Sequence, residues 1–357
     1  MTSSPQGHHV VMAGHGVYNA NSATQADGAA IALPLLERAA GQIPVSDEGR
    51  PVVIADYGSS EGRNSLSPMR AAVGVLRKRL GPKRPIMVVH TDLPANDFSS
   101  LFDMVENGPG SYVSDDANVF PSAVGRTFYR SVLPPSYADL GWSSFAAVWL
   151  SRVPEPVPGH ILIARSSGAL RAAFAEQARV DWETFLSQRS HELRPDGRLI
   201  IVLPSLDEAG WNPLIALFDC ANLVLASMVF EGAISEEERG RMLVPSYLRT
   251  PEETRAPFAA NGKFAGLTLE DCTFSQIADG AWAQYKREGR LETLAAARAG
   301  FFRATFANTL AAALTRSGDP VIRKAFGDRL EVGMRRQLME LAAPLEQNVA
   351  ALLLVKR

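Results

Sequence analysis

The chain has 357 residues, 46% apolar and 21% charged, which suits a folded protein with a large core and excludes a mainly disordered one. A formal net charge of -2 with no basic block removes the electrostatic ground for a nucleic-acid partner. The two cysteines, Cys220 and Cys272, are too few for a disulfide framework and stand in no metal-ligand spacing, so no metal site is expected. No apolar run reaches bilayer length, and the residues from Met1 to Val11 lack a basic segment followed by an apolar one, so a cytoplasmic setting without membrane contact is expected. The six histidines are scattered and read as surface or satisfied core residues.

In chain order, the first strand signal is the apolar run Pro51 to Asp56, followed by the glycine-containing turn Tyr57-Gly-Ser-Ser-Glu-Gly-Arg-Asn64. Ser67 and Pro68 open a helix that Gly81-Pro82 ends, and Ile86 to His90 is a second strand closing on Thr91-Asp92. Ala138 to Ser144 is a weaker strand candidate, with Phe145, Val148 and Trp149 at helical spacing beyond it. Val180 to Leu193 reads as an amphipathic helix, and Arg198 to Leu203 as a strand entered by the turn Arg194-Pro-Asp-Gly197. Strands alternating with helices predict an α/β fold with a mainly parallel sheet, covered on both faces and binding ligands at its carboxyl edge.

After Pro204 the texture changes to a long apolar helical stretch, Asn212 to Phe230, a charged stretch, Ile234 to Arg241, and the extended linker Val244 to Pro251. Residues 212–258 are therefore expected to form a helical cap over the substrate pocket, with 1–211 and 259–357 forming the core. Leu267 to Asp271 returns as a strand, Leu291 to Leu314 and Pro320 to Leu341 are expected helices, and Ala350 to Val355 is a final strand.

The turn after Asp56 carries Gly58 and Gly62, which let a ligand approach the chain closely. Its G-x-x-x-G spacing differs from the dinucleotide fingerprint, and no phosphate-binding P-loop motif occurs. Asp92, an acid at the end of the second strand, suits either hydrogen bonding to ribose hydroxyls or capping of the turn before Pro94. Trp149, read alone, is more readily an ordinary core aromatic than a ligand-binding residue.

Five segments occur in a specific order: Tyr18-Asn-Ala-Asn-Ser22 with Gln25; Ala55-Asp-Tyr-Gly58 with Gly62 and Asn64; Thr91-Asp-Leu-Pro-Ala-Asn-Asp-Phe98; Gly125-Arg-Thr-Phe-Tyr129; and Ser143-Ser-Phe-Ala-Ala-Val-Trp-Leu-Ser151. With Phe230-Glu-Gly-Ala-Ile234 and Val244-Pro-Ser-Tyr247 further on, the chain resembles the SABATH family of carboxyl methyltransferases. Plant members of that family act on salicylate, benzoate and jasmonate, and N-methylating relatives make caffeine. The resemblance implies a Rossmann-like class I methyltransferase core with a helical cap, S-adenosyl-L-methionine as cofactor, a small carboxylic acid as substrate and a homodimer. It places Tyr18, Ser22, Asp56, Gly58 and Asn64 toward the methionine end of the cofactor, Asp92 and Leu93 at its ribose and adenosine, and Thr127 and Phe128 beside its adenine. It assigns Gln25 and Trp149 to the substrate carboxylate and aligns Phe218 with an aromatic pocket position; the apolar Phe145, Val148, Leu217 and Phe218, with Met228, are the expected pocket wall. Phe145 stands where the plant motif has Tyr, and the segment Gly14 to Val17 is shorter than the plant form and lacks its Lys, which marks a bacterial-type member.

A carboxylic acid is already ionised at neutral pH, so its oxygen needs no general base; position and a dry pocket are what the protein must supply. Gln25 and Trp149 can donate N–H bonds without protonating it. The implied reaction is methyl ester formation on an aromatic or aliphatic acid. The rival readings are an N-methyltransferase of the same family and a catalytically silent binding protein.

Overall fold

The computed structural model describes residues 19, 23–45, 49–114 and 116–357; Tyr18 and Ser22 lie outside them. The strands are β1 (Val52–Tyr57), β2 (Ile86–Asp92), β3 (Val119–Gly125), β4 (Ala138–Ser144), β5 (Leu193–Pro204), β6 (Lys263–Phe264), β7 (Leu267–Ile277) and β8 (Gln347–Lys356). They form one sheet in the order β3-β2-β1-β4-β5-β8-β7-β6. The first five are parallel, and β8 runs antiparallel to both β5 and β7. The expected α/β class and mainly parallel sheet are thus present.

The helices that frame the sheet and its carboxyl edge are α1 (Ala23–Ala30), α2 (Leu33–Gln42), α3 (Arg63–Leu80), α4 (Phe98–Asn107), α5 (Gly168–Glu192), α6 (Ile215–Phe230), α7 (Leu291–Phe302) and α8 (Pro320–Glu340). Leu36, Leu66, Met69 and Leu101 of α2 to α4 cover one sheet face through Ile54, Val88, Leu140 and Ile200. Trp182, Phe185 and Leu186 of α5 cover the other through Val53, Ala55, Leu199 and Ile201. Burial on both faces explains why β1 and β5 read as unbroken apolar runs instead of alternating ones.

Four sequence expectations change. Helix α3 begins at Arg63, so Ser67 and Pro68 lie within it instead of opening it. β3 was not anticipated: it carries Pro121, pairs only with β2 and leaves Phe120 half exposed, all features of an edge strand with little apolar signal. The helix at Phe145 to Trp149 is replaced by a loop. Phe145 takes φ +57°, and Trp149 forms an isolated antiparallel bridge with Ser246. The turn at 194–197 is absorbed into β5 with a break in register against β4.

Beyond the sheet, Leu217, Ala221, Val224 and Met228 of α6 share one apolar cluster with Ala295 and Phe302 of α7 and Leu330, Met334 and Leu338 of α8. Helix α7 runs on into a π-helix, Arg303–Ala307. This helical layer stands over the carboxyl ends of β4 and β5: Leu206, just after β5, is buried in its apolar cluster, and Trp149, after β4, packs against it. Among the described residues no helix is long and apolar enough to cross a membrane.

Candidate active site

The chain leaves β1 toward β2 and β3 on one side and returns to β4 on the other, so the two connections diverge above the β1 and β4 ends. In a parallel sheet that divergence opens the ligand crevice. A chamber sits there, lined by Asp56, Gly58, Ser59, Ser60, Asn64, Ser65, Trp142, Ser144 and Gln25.

Asp56, the last residue but one of β1, is buried, and its position is fixed from two sides. Ser65 Oγ donates to Asp56 Oδ2 at 2.5 Å, and His90 Nδ1 lies 2.8 Å from the same oxygen. The His90 Nε2 in turn lies 2.6 Å from the Tyr112 hydroxyl, and both residues are buried. The fixed carboxylate keeps Oδ1 without a hydrogen bond inside the described structure, next to the chamber. Gly58 follows at φ +91°, and a Cβ built there would lie 2.3 Å from the Ala146 Cβ. Only glycine fits the turn and leaves its backbone open to a ligand. Asn19 is fastened to this turn: its N–H donates to Glu61 Oε2 at 3.1 Å, and Arg63 Nη1 donates to its carbonyl at 2.9 Å.

Asp92 caps its turn, and that uses only part of its hydrogen-bonding capacity. Ser60 N–H donates to one carboxylate oxygen and Leu93 N–H to the other, each at 2.7 Å. Each oxygen retains a second acceptor site. Burial pushes this carboxyl up to about 6, with the charge of Asp56 adding to the rise and the two N–H bonds opposing it. Thr127 and Phe128 follow β3. The Phe128 ring reaches 4.0 Å from the Cβ position of Gly58 and packs edge-on against Phe185 at 5.5 Å. Behind it, buried Arg189 donates to the Phe128 carbonyl at 2.7 Å and to Glu192 at 2.8 Å.

A second chamber adjoins the first. Gln25, Phe145, Val148, Trp149, Leu162, Pro204, Leu214, Ile215, Phe218, Ser246, Leu248, Phe301, Thr305, Phe306 and Gln347 line it, with no ionisable side chain among them. Gln25 lines both chambers, and its buried Oε1 has no hydrogen-bond partner. The backbone of Trp149 is held by Ala146 O at 3.2 Å and its carbonyl by the Tyr129 hydroxyl, whereas its indole N–H makes no hydrogen bond within the described residues. Helix α1 can bring Gln25 this close because Gly28, one turn on, meets the Phe145 ring: a Cβ there would lie 2.3 Å from Phe145 Cζ.

Of the residues singled out in the sequence, Asp56, Gly58, Asn64 and Gln25 meet at the first chamber, and Gln25, Phe145, Val148, Trp149 and Phe218 at the second. Asp92, Leu93, Thr127 and Phe128 cluster at the ends of β2 and β3 beside the first. Leu217 and Met228 belong instead to the apolar cluster of the helical layer. Sequence reasoning missed the far wall, Phe301, Thr305, Phe306 and Gln347, because those residues arrive from far along the chain with no local motif. It also missed the His90–Tyr112 support, for which a histidine at a strand end beside Asp92 was the available signal. Among the described residues no group of three or more His, Cys, Asp or Glu could hold a metal ion.

A family model described as SAM dependent carboxyl methyltransferase matches residues 7–354. A methyltransferase of Fusarium sp is 32% identical over 69% of this chain and 66% of its own length, so the chain spans just under two thirds of that relative. The salicylate carboxymethyltransferase of Clarkia breweri is 29% identical over 71% of this chain and 72% of its own. A benzoic acid/salicylic acid carboxyl methyltransferase of Petunia hybrida is 28% identical over 72% and 76%. Among solved structures, loganic acid methyltransferase with SAH superposes with a TM-score of 0.75 at 20% identity, covering 98% of this chain and 99% of that one, a likeness of fold.

Proposed function

Because this chain belongs to the family of SAM-dependent carboxyl methyltransferases, we propose that it converts a small carboxylic acid to its methyl ester. The observation that carries the reading is the apolar second chamber, with no ionisable side chain among the described residues that line it, where Gln25 and Trp149 stand together next to a chamber at the sheet's carboxyl edge.

The first chamber fits the cofactor on its own features: a cradle at Gly58 that a Cβ would fill, an uncommitted Asp56 oxygen and the unpartnered Gln25 amide oxygen. We assign Asp56, Gly58 and Asn64, with Tyr18 and Ser22 beyond the described residues, to its methionine end. Asp92, Leu93, Thr127 and Phe128 are assigned to its nucleoside. When bound, S-adenosylmethionine supplies an electrophilic methyl group and a positive charge that balances the substrate carboxylate. Gln25 and Trp149 orient that carboxylate through N–H bonds, and Phe145, Val148 and Phe218 exclude water from it. We keep Leu217 as a residue that packs behind this wall. None of the described side chains lining the second chamber can act as general base, and an ionised acid requires none. The same lining offers no carboxylate to hold an amine, which favours an acid over the N-methylating alternative.

The proposal keeps 212–258 as the cap, α7 and α8 packing on it, and 1–211 with 259–357 as the core. It also keeps a cytoplasmic homodimer of the bacterial type. Free Cys220 and Cys272 suit a reducing compartment, Phe230 at 93% exposure leaves apolar surface for self-association, and Phe145 in place of the plant Tyr supports a separate branch.

Two experiments follow. Methyl transfer from labelled S-adenosylmethionine, assayed over paired acids and amides, is expected only with the acids, since the amide is a poor nucleophile at neutral pH. Better methylation of an amine or phenol than of every acid would reject the reading. Cofactor affinity is expected to fall as pH drops through about 6, where Asp92 gains its proton and loses its charge as an acceptor. Asp92→Asn should bind about tenfold more weakly at pH 8 and lose that pH dependence; calorimetry giving the same pH curve for both proteins would remove Asp92 from the site.

A further inference from the structure

Two polar side chains of the second chamber have no use in the reaction proposed above. Thr305 Oγ1 and Gln347 Oε1 are buried, line the chamber and have no hydrogen-bond partner. Neither residue lines the chamber assigned to the cofactor. A buried polar atom left without a partner is costly, so two on one apolar wall require a reason. Their positions come from unrelated parts of the fold. Gln347 opens β8 where that strand passes the carboxyl end of β5, held by Ser205 N–H donating to Asn348 O at 2.9 Å. Thr305 sits in the π-helix Arg303–Ala307, an irregular turn that places Thr305 and Phe306 in the chamber wall. Such turns are rare and concentrate at functional sites. This one is fixed from outside by Arg303, which pairs with Asp328 and, at 2.6 Å, with Glu331 of α8.

Resting on the carboxyl-transfer reading, we propose that Thr305 and Gln347 form a specificity pair that binds a hydroxyl group carried by the acid, away from its carboxylate. A threonine hydroxyl donates and accepts, and a glutamine amide offers an acceptor and N–H donors. A ligand hydroxyl, also both donor and acceptor, satisfies the two together. A keto or ether oxygen cannot donate to the Gln347 oxygen. An ammonium group would enter a chamber with no acidic side chain to balance it. The substrate class is therefore a hydroxylated acid with an apolar body.

The test compares benzoate with meta- and para-hydroxybenzoate, and octanoate with omega-hydroxyoctanoate, on the wild type, Thr305→Val and Gln347→Leu. Both substitutions preserve shape. The wild type is expected to favour the hydroxylated member of a pair in kcat/KM, and each variant to reduce that preference, the ratio within a pair, by about three- to tenfold. Both variants should melt no lower than the wild type without ligand, since each loses an unpaired buried polar atom. An unchanged preference, an equal loss on both members of a pair, or a melting temperature lowered by several degrees in both variants would overturn the assignment. If no acid is methylated, the carboxyl-transfer reading fails. The pair is then judged by calorimetry of the same acids on protein loaded with the demethylated cofactor: hydroxyl preference lost in the variants supports it, and equal affinities overturn it.

Discussion

Trp149→Phe and Gln25→Ala are each expected to lower kcat/KM for the acid by about ten- to a hundred-fold, the worth of one hydrogen bond to a charged group, about 1.5 to 3 kcal/mol. The indole N–H and the Gln25 amide are the uncommitted donors at the meeting of the two chambers, and no cation lines the second chamber to replace them. Phenylalanine keeps the apolar contact with Phe306, whose ring centre lies 6.0 Å from that of Trp149, so the loss reports the N–H. Both bonds orient one carboxylate, and the double variant should lose less than the sum. Trp149→Phe should leave cofactor affinity unchanged, and activity should decline at low pH with the acid's own protonation. Steady-state kinetics with full activity in both single variants would refute the clamp while leaving the fold assignment standing.

Gly58→Val is expected to abolish measurable cofactor binding. The residue holds φ +91°, which costs a side-chain-bearing residue about 1 to 2 kcal/mol, and its Cβ would overlap the Ala146 Cβ at 2.3 Å. Relief of that overlap must move either the turn after Asp56 or the loop leading to Trp149, so both chambers are disturbed. Gly74→Ala is the control. It lies within α3 with nothing near its Cβ position, and alanine there should raise stability by about 1 kcal/mol. Calorimetric titration with the demethylated cofactor, alongside thermal melts of both variants, checks this. Ordinary cofactor affinity in a folded Gly58→Val protein would show that the turn does not cradle the ligand.

The sheet was legible because its central strands are buried on both faces, which forces apolar runs such as Val52 to Ala55 and Leu199 to Leu203 that end at a polar turn. The placing of Asp56, Gly58 and Asp92 at the carboxyl edge was legible because each stands at or just past the end of an apolar strand run. β3 was invisible for the opposite reason, an edge strand that contains Pro121 and half exposes Phe120. The loop from Phe145 to Trp149 imitated a helix because a chamber wall, like a helix face, gathers apolar residues at close spacing. Leu217 was placed in the wall when its neighbour Phe218 faces the chamber, a distinction of one position around a helix apolar on several sides. Thr305 and Gln347 meet only through tertiary folding, and no local pattern could announce an atom whose significance is the partner it lacks.

Gln25, the one side chain among the described residues that lines both chambers, ties the two occupants into a single linkage scheme. Under the proposed assignment, whatever factor the acid imposes on cofactor affinity through this amide, the cofactor must impose on the acid, since the coupling free energy is one quantity read from either side. The chamber filled second then meets an amide already oriented, and Gln25→Ala should make the two equilibria more nearly independent.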